Sequence, residues 1–358
     1  MQVGNPKLIV FAGSYAELNQ SGVYSIALDE ETGKLTVLNG YEGLRNPTFV
    51  NVDTDNSRLY AISEGLTADG KKTGEAAAYE IAEDGKLKLL GITGTVNGPT
   101  CHIQRDTDSK YIIVTSYHAG MVGLSELTAD GEIGSLLDVQ QHEGSSVHPN
   151  QDRPHPHSAF FSPDGRYLLV QDLGLDIVRT YRIDKEQNKL VPVSDARVAA
   201  GAGPRHLVFH PSGRYAYVIN ELNSTVTAFS YDAAEGKLSE LQTLSTLPEG
   251  YQGENGTAEI TISEDGRFVY GSNRGHDSIV VYAVEESSGR LTVIQHISVE
   301  GKHPRHFALT PGGHWLLAAN RDTNNITTFR VDRDSGKLTY TGHSLEVSKP
   351  VCVKPVYL

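Results

Sequence analysis

One segment recurs along the whole chain. Residues 203–221, GPRHLVFHPSGRYAYVINE, are echoed at 304–320 (PRHFALTPGGHWLLAAN), 156–172 (PHSAFFSPDGRYLLVQD) and 257–273 (TAEITISEDGRFVYGSN). Fainter copies run over 99–116 and 47–63. Pro156, Pro204, Thr257 and Pro304 head the strong copies, so the period is about 50 residues, the length of a propeller blade of four short strands. A unit of this kind cannot bury its apolar faces alone, so the copies must stack against one another.

Each copy reads as strands. HLVFHP (206–211) is a short apolar strand, PSG (211–213) has turn chemistry, and YAYVIN (215–220) is rich in aromatic and β-branched types. STVTAFSYD (224–232) and LSELQTLS (238–245) supply two more strands, joined by DAAEGK (232–237). The same acidic-to-Gly turn returns in EESSGRL and DRDSGKL. The N-terminus starts out of phase: LIVFAGSY (8–15) matches a second strand, and its missing first strand lies at the far end in KPVCVKP (349–355). The expected fold is therefore all-β, a single seven-bladed β-propeller over residues 1–358 in which the C-terminal strand completes the N-terminal blade. Such closure removes two exposed strand edges. An open solenoid has no need for its ends to meet, and an α/β fold is excluded because no helical periodicity separates the strands.

Composition narrows the partners. The net charge of −13 argues against nucleic acid and anionic membrane surfaces, which require clustered Lys and Arg. Two cysteines, Cys101 and Cys352, are too few for a disulfide framework and suit a reducing compartment. No apolar run approaches a membrane span and the N-terminus lacks a signal-peptide layout, so a cytoplasmic location is expected.

Hairpin geometry turns the repeat into a candidate site. A tight turn places the start of the first strand beside the end of the second. Arg205 and Glu221 should therefore share one mouth of the ring. After each second strand comes a small polar residue, suited to bonding local backbone, and then a variable one: Tyr15, Glu64, Tyr117, Leu173, Glu221, Arg274 and Arg321. The first strands open on Thr48, Cys101, His157, Arg205, Ala258, Arg305 and Val351. Such diversity at structurally equivalent positions suits a shared pocket. By period-2 geometry His206 and His306 should turn to the other strand face and pack between blades. The longest insertion, HEGSSVHPNQDRPHPH (142–157), should form a loop over the mouth; its His148, His155 and His157 lack the companion ligands of a zinc site, and no metal is expected. No P-loop, dinucleotide fingerprint or Gly-x-Ser-x-Gly elbow is present.

GPRHLVFHPSGRYAYVINE, SPDGRYLLVQDLG, GSNRGHDSIVVY and NRDTNNITTFRVD together resemble the seven-bladed propeller lactonase family, over essentially the whole chain. The resemblance implies a cofactor-free hydrolase that opens a small anionic sugar lactone, 6-phosphogluconolactone in the pentose phosphate pathway. By motif it puts the catalytic roles on His157, Arg205, Glu221 and Arg274. Tyr117, Glu64, His155, Arg305 and Arg321 stand as substrate contacts, the last three for phosphate. On chemistry, His157 is the expected base, being near its working pKa unperturbed, with Glu221 orienting it or a substrate hydroxyl. The rival readings are a carboxymuconate-cyclising enzyme using the same arginines and a propeller that only binds partners.

Overall fold

The computed structural model describes residues 7–358. These form seven four-stranded antiparallel sheets, as the repeat requires. Blade 1 is closed by the C-terminus: Pro350–Tyr357 pairs antiparallel with Leu8–Ser14, from Leu8 opposite Tyr357 to Ser14 opposite Pro350. Blades 2 to 7 follow in chain order, each running from the axis outward, with inner strands Val50–Asp53, His102–Arg105, Pro156–Phe161, Pro204–Phe209, Gly256–Ile262 and Pro304–Leu309. No helix among the described residues is long and apolar enough to cross a membrane.

Local chemistry explains the regularity. In blade 5 the inner hairpin turns at Gly213, whose φ of 67° is left-handed and whose amide donates to the His210 carbonyl at 2.8 Å. The outer turn is held by Asp232, whose carboxylate accepts from the Ala234 amide at 2.8 Å before the chain reverses at Gly236. Asp332 and Gly336 repeat that device in blade 7. Blades are tied to their neighbours by tyrosines. The Tyr217 hydroxyl donates to the Gly289 carbonyl of blade 6 at 3.0 Å, and Tyr270 donates likewise to Gly336 of blade 7 at 2.9 Å. Their rings join the apolar layers between blades, so a polar tip ends in a hydrogen bond while the ring is buried.

One irregularity shapes the axis. The inner strands of blades 4, 5 and 7 each carry a bulge after the opening proline: Pro204 faces Asn220, yet His206 already faces Ile219. His157, Arg205 and Arg305 are the extra residues. A bulge breaks the period-2 alternation and re-aims side chains. His206 and His306 consequently do not pack between blades. They turn to the axis, where His206 meets Phe49 of blade 2, His102 of blade 3 and Phe160 of blade 4.

Candidate active site

The starts of the inner strands and the ends of the second strands meet at one mouth of the ring. There they line a cavity of about 260 Å³, whose walls include Glu64, Tyr117, His157, Glu221, Arg274 and Arg305. Arg205 lies beneath it, 2% exposed. Its Nε donates to Glu221 Oε2 at 2.9 Å and its Nη1 to the Ala258 carbonyl at 2.6 Å. Arg274 approaches the same Oε2 at 2.9 Å and also donates to the Gly256 and Thr257 carbonyls. Glu221 is thus clamped on one oxygen, and Oε1 accepts no hydrogen bond among the described residues. Arg305 differs from the other two arginines. It lies over the Tyr15 ring at 5.9 Å and has no ion-pair partner among the described residues.

The electrostatics follow from burial. Burial pushes the Glu221 carboxyl up, but Arg274, Arg205 and Arg305 outweigh that and hold it below the usual range. Burial, with Arg274 and Arg305 alongside, pulls Arg205 down to about 9, so it stays charged at neutral pH. His157 is held well below its ordinary value, first by burial and then by Arg205 and His206. Its ring is therefore neutral, and its enclosed Nδ1 has no hydrogen-bond partner. No hydrogen bond joins it to Glu221. The expected pairing of those two is replaced by the double arginine clamp, because both guanidiniums are closer to the carboxylate.

The remaining expected contacts separate. Tyr117 and Glu64 line the cavity, Glu64 paired with Lys72 at 2.7 Å. His155 does not reach it: the ring stacks on Tyr117 with centroids 4.1 Å apart, and its Nδ1 is 2.7 Å from the Tyr117 carbonyl. Arg321 is turned aside by Asp322, to which its Nε donates at 2.6 Å. The insertion borders the mouth. Its His148 and Asn150 line an outer recess that shares Glu221 and Arg274 with the axial cavity. Two buried aspartates pin it, Asp172 through His142 and the His155 amide, and Asp176 through Ser146 and Gln151.

Sequence reasoning missed Glu259. This 6%-exposed carboxylate sits below the mouth, 3.1 Å from His206 Nδ1 and 3.0 Å from His306 Nε2. With Phe49 and His102 these side chains form a septum across the axis. The signal was present. Aligning the repeats puts Phe49, His102, Ser158, His206, Glu259, His306 and Cys352 at one position, a largely polar set.

Ring, closure and a polar axial mouth define an enzyme-like seven-bladed propeller. Residues 9–355 match the family described as "Lactonase, 7-bladed beta-propeller", and the chain belongs to that family. It is 36% identical over 307 residues to the 6-phosphogluconolactonase of Bacillus subtilis, covering 85% of this chain and 86% of the relative. A protein of the same name from Formosa agariphila is 34% identical over 313 residues, covering 85% and 87%. Among solved structures, the periplasmic gluconolactonase of Pseudomonas aeruginosa superposes with a TM-score of 0.91 at 32% identity, over 98% of this chain and 99% of that one.

Proposed function

We propose that the chain hydrolyses a sugar lactone, 6-phosphogluconolactone being the substrate that its site and its named relatives favour together. The observation that carries the reading is the charge balance of the axial cavity. Three guanidiniums gather around one carboxylate, Glu221, which pairs with only two of them, in a chain whose net charge is −13. Two of the three are committed to Glu221 and to main-chain carbonyls, and Arg305 is the cation left for an anion. A carboxymuconate would use the same cations, and competition by 6-phosphogluconate but not by muconate separates the two.

On this reading each residue has a task. Water adds to the lactone carbonyl carbon while Glu221, through Oε1, takes its proton. The tetrahedral oxyanion is met by Arg274 and by the neutral His157 ring as a hydrogen-bond donor, a role that suits an imidazole whose charged form is disfavoured. Collapse breaks the bond to the ring oxygen, which recovers the proton from Glu221, and the product acid ionises to solvent. Although the two arginines weaken it as a base, Glu221 replaces His157 here because it is ionised with Oε1 free of hydrogen bonds among the described residues, whereas His157 has no group on Nδ1 to orient it. Arg305 holds the phosphate. The two free cysteines, one of them buried, fit a cytoplasmic setting.

The test is lactone opening above the spontaneous rate, measured with glucono-δ-lactone and with its 6-phosphate. Catalysis of the phosphorylated lactone with a higher kcat/KM is expected. Equal, spontaneous-rate opening of both refutes hydrolysis, and a preference for the unphosphorylated lactone refutes the phosphate assignment.

A further inference from the structure

Below the septum the axis opens again at the opposite mouth, and this second chamber has a different chemistry. It encloses about 350 Å³ and is walled by Phe160, Phe161, Val208, Phe209, Ala308 and Leu309, all half-buried. Its ceiling is Glu259 and His306, and Lys354 of the closing strand reaches into it. The polar groups are unequally satisfied. The Glu259 carboxylate accepts from His206, His306 and the Ile260 amide, and so has little left for a ligand. Lys354 is the opposite case. Its ammonium lies 4.8 Å from the centre of the Phe49 ring and has no carboxylate or hydrogen-bond partner among the described residues. A half-buried ammonium loses hydration that a ring face only partly replaces.

From the uncommitted cation and the apolar walls together we infer that the opposite mouth is a binding site for a small monocarboxylate with an aromatic or branched apolar body. The carboxylate pairs with Lys354 and the body lies against Phe160, Phe209 and Ala308. The upper cavity does not compete for such a molecule, because its walls are polar and the septum of Phe49, His102, His206 and His306 separates the two. A dicarboxylate or a sugar acid fits the lower chamber poorly, since one cation serves it and its walls offer few hydrogen bonds.

Calorimetric titration of the full chain with 3-phenylpropionate tests this. One-to-one binding is expected, unchanged in Arg305→Met, weakened about tenfold or more in Lys354→Met, restored in Lys354→Arg and lost in Ala308→Phe, which fills the chamber. The uncharged 3-phenylpropanol should bind weakly or not at all, and Lys354→Met should still open lactones. Absence of binding to the wild-type chain, binding that survives both Lys354→Met and Ala308→Phe, or binding abolished by Arg305→Met overturns the inference. Should Lys354→Met fail to fold, Ala308→Phe and the alcohol control decide it.

Discussion

Acid should unfold this protein well before its carboxylates titrate. Four axial histidines, His102, His157, His206 and His306, are each held well below the ordinary imidazole value, chiefly by burial. In the unfolded chain they titrate near 6.5. Below that pH the unfolded state binds protons that the folded state refuses, so the stability they contribute is full above about pH 6.5 and falls as pH drops. A histidine still neutral at pH 5 loses about 2 kcal/mol between pH 7 and pH 5. His206 and His306 touch Glu259, which can share a proton with them, whereas His102 and His157 touch no carboxylate. Those two alone give about 4 kcal/mol, and all four about 8 kcal/mol, against a typical total of about 5–15 kcal/mol. Lowered carboxyls such as Asp265, at about 2, act only at lower pH. The assay is urea unfolding at pH 5, 6, 7 and 8. In His102→Leu the loss between pH 7 and pH 5 should shrink by about 2 kcal/mol, because that ring, packed 4.3 Å from Phe49, no longer titrates. A wild-type loss under about 1 kcal/mol, or an unchanged loss in His102→Leu, refutes the claim that the rings are buried neutral.

Glu221→Gln should lower kcat by about 10²- to 10⁴-fold and also lower Tm, since two buried guanidiniums lose their counter-charge; normal kcat with a lowered Tm would make Glu221 purely structural. Arg305→Met should leave Tm unchanged, having no ion pair to break, while raising KM for the phosphorylated lactone about 10- to 100-fold and hardly altering that for glucono-δ-lactone. The pH profile of kcat/KM for glucono-δ-lactone, which carries no titrating phosphate, should be flat from pH 6 to 8, because the Glu221 carboxyl is held low and His157 stays neutral; an inflection near 6.5 would restore His157 as base. Deleting residues 350–358 should abolish cooperative unfolding, because it exposes the edge of Leu8–Ser14 and opens the ring.

The ring was legible because a propeller writes its period into the chain. Pro204, the PSG turn and the Asp232–Gly236 turn recur where the backbone needs them, and the out-of-phase termini announce the closing strand. The site was legible in outline for the same reason, since equivalent repeat positions fall at one mouth. What repetition cannot encode is how neighbouring side chains share their charges. Arg205, Arg274 and Arg305 look alike in sequence, yet two are paired with Glu221 and one has no ion-pair partner among the described residues, and that difference depends on a reach across blades of a few ångströms. Arg321 sits at a position equivalent to Arg274 but has Asp322 as its neighbour, where Arg274 has Gly275. The bulges were hidden too, because strand alternation assumes an unbroken register.

Those bulges account for the division of labour along the axis. In a regular strand only alternate residues face the channel, so one inner strand would give the mouth and the septum one side chain every two residues. The extra residue after Pro204 lets Arg205 and His206 both turn inward, Arg205 to Glu221 at the mouth and His206 to Glu259 one layer down. Pro304 does the same for Arg305 and His306. Two polar layers therefore stack within one residue of chain, a cationic one above and a histidine–carboxylate one below. The lower layer separates two chambers and places the negative charge of Glu259 beneath the arginine cluster, where it favours the charged form of Arg205. The same septum whose Glu259 favours the charged form of Arg205 also shuts the upper cavity from the apolar chamber, so the bulges bear on both the electrostatics of the site and its depth.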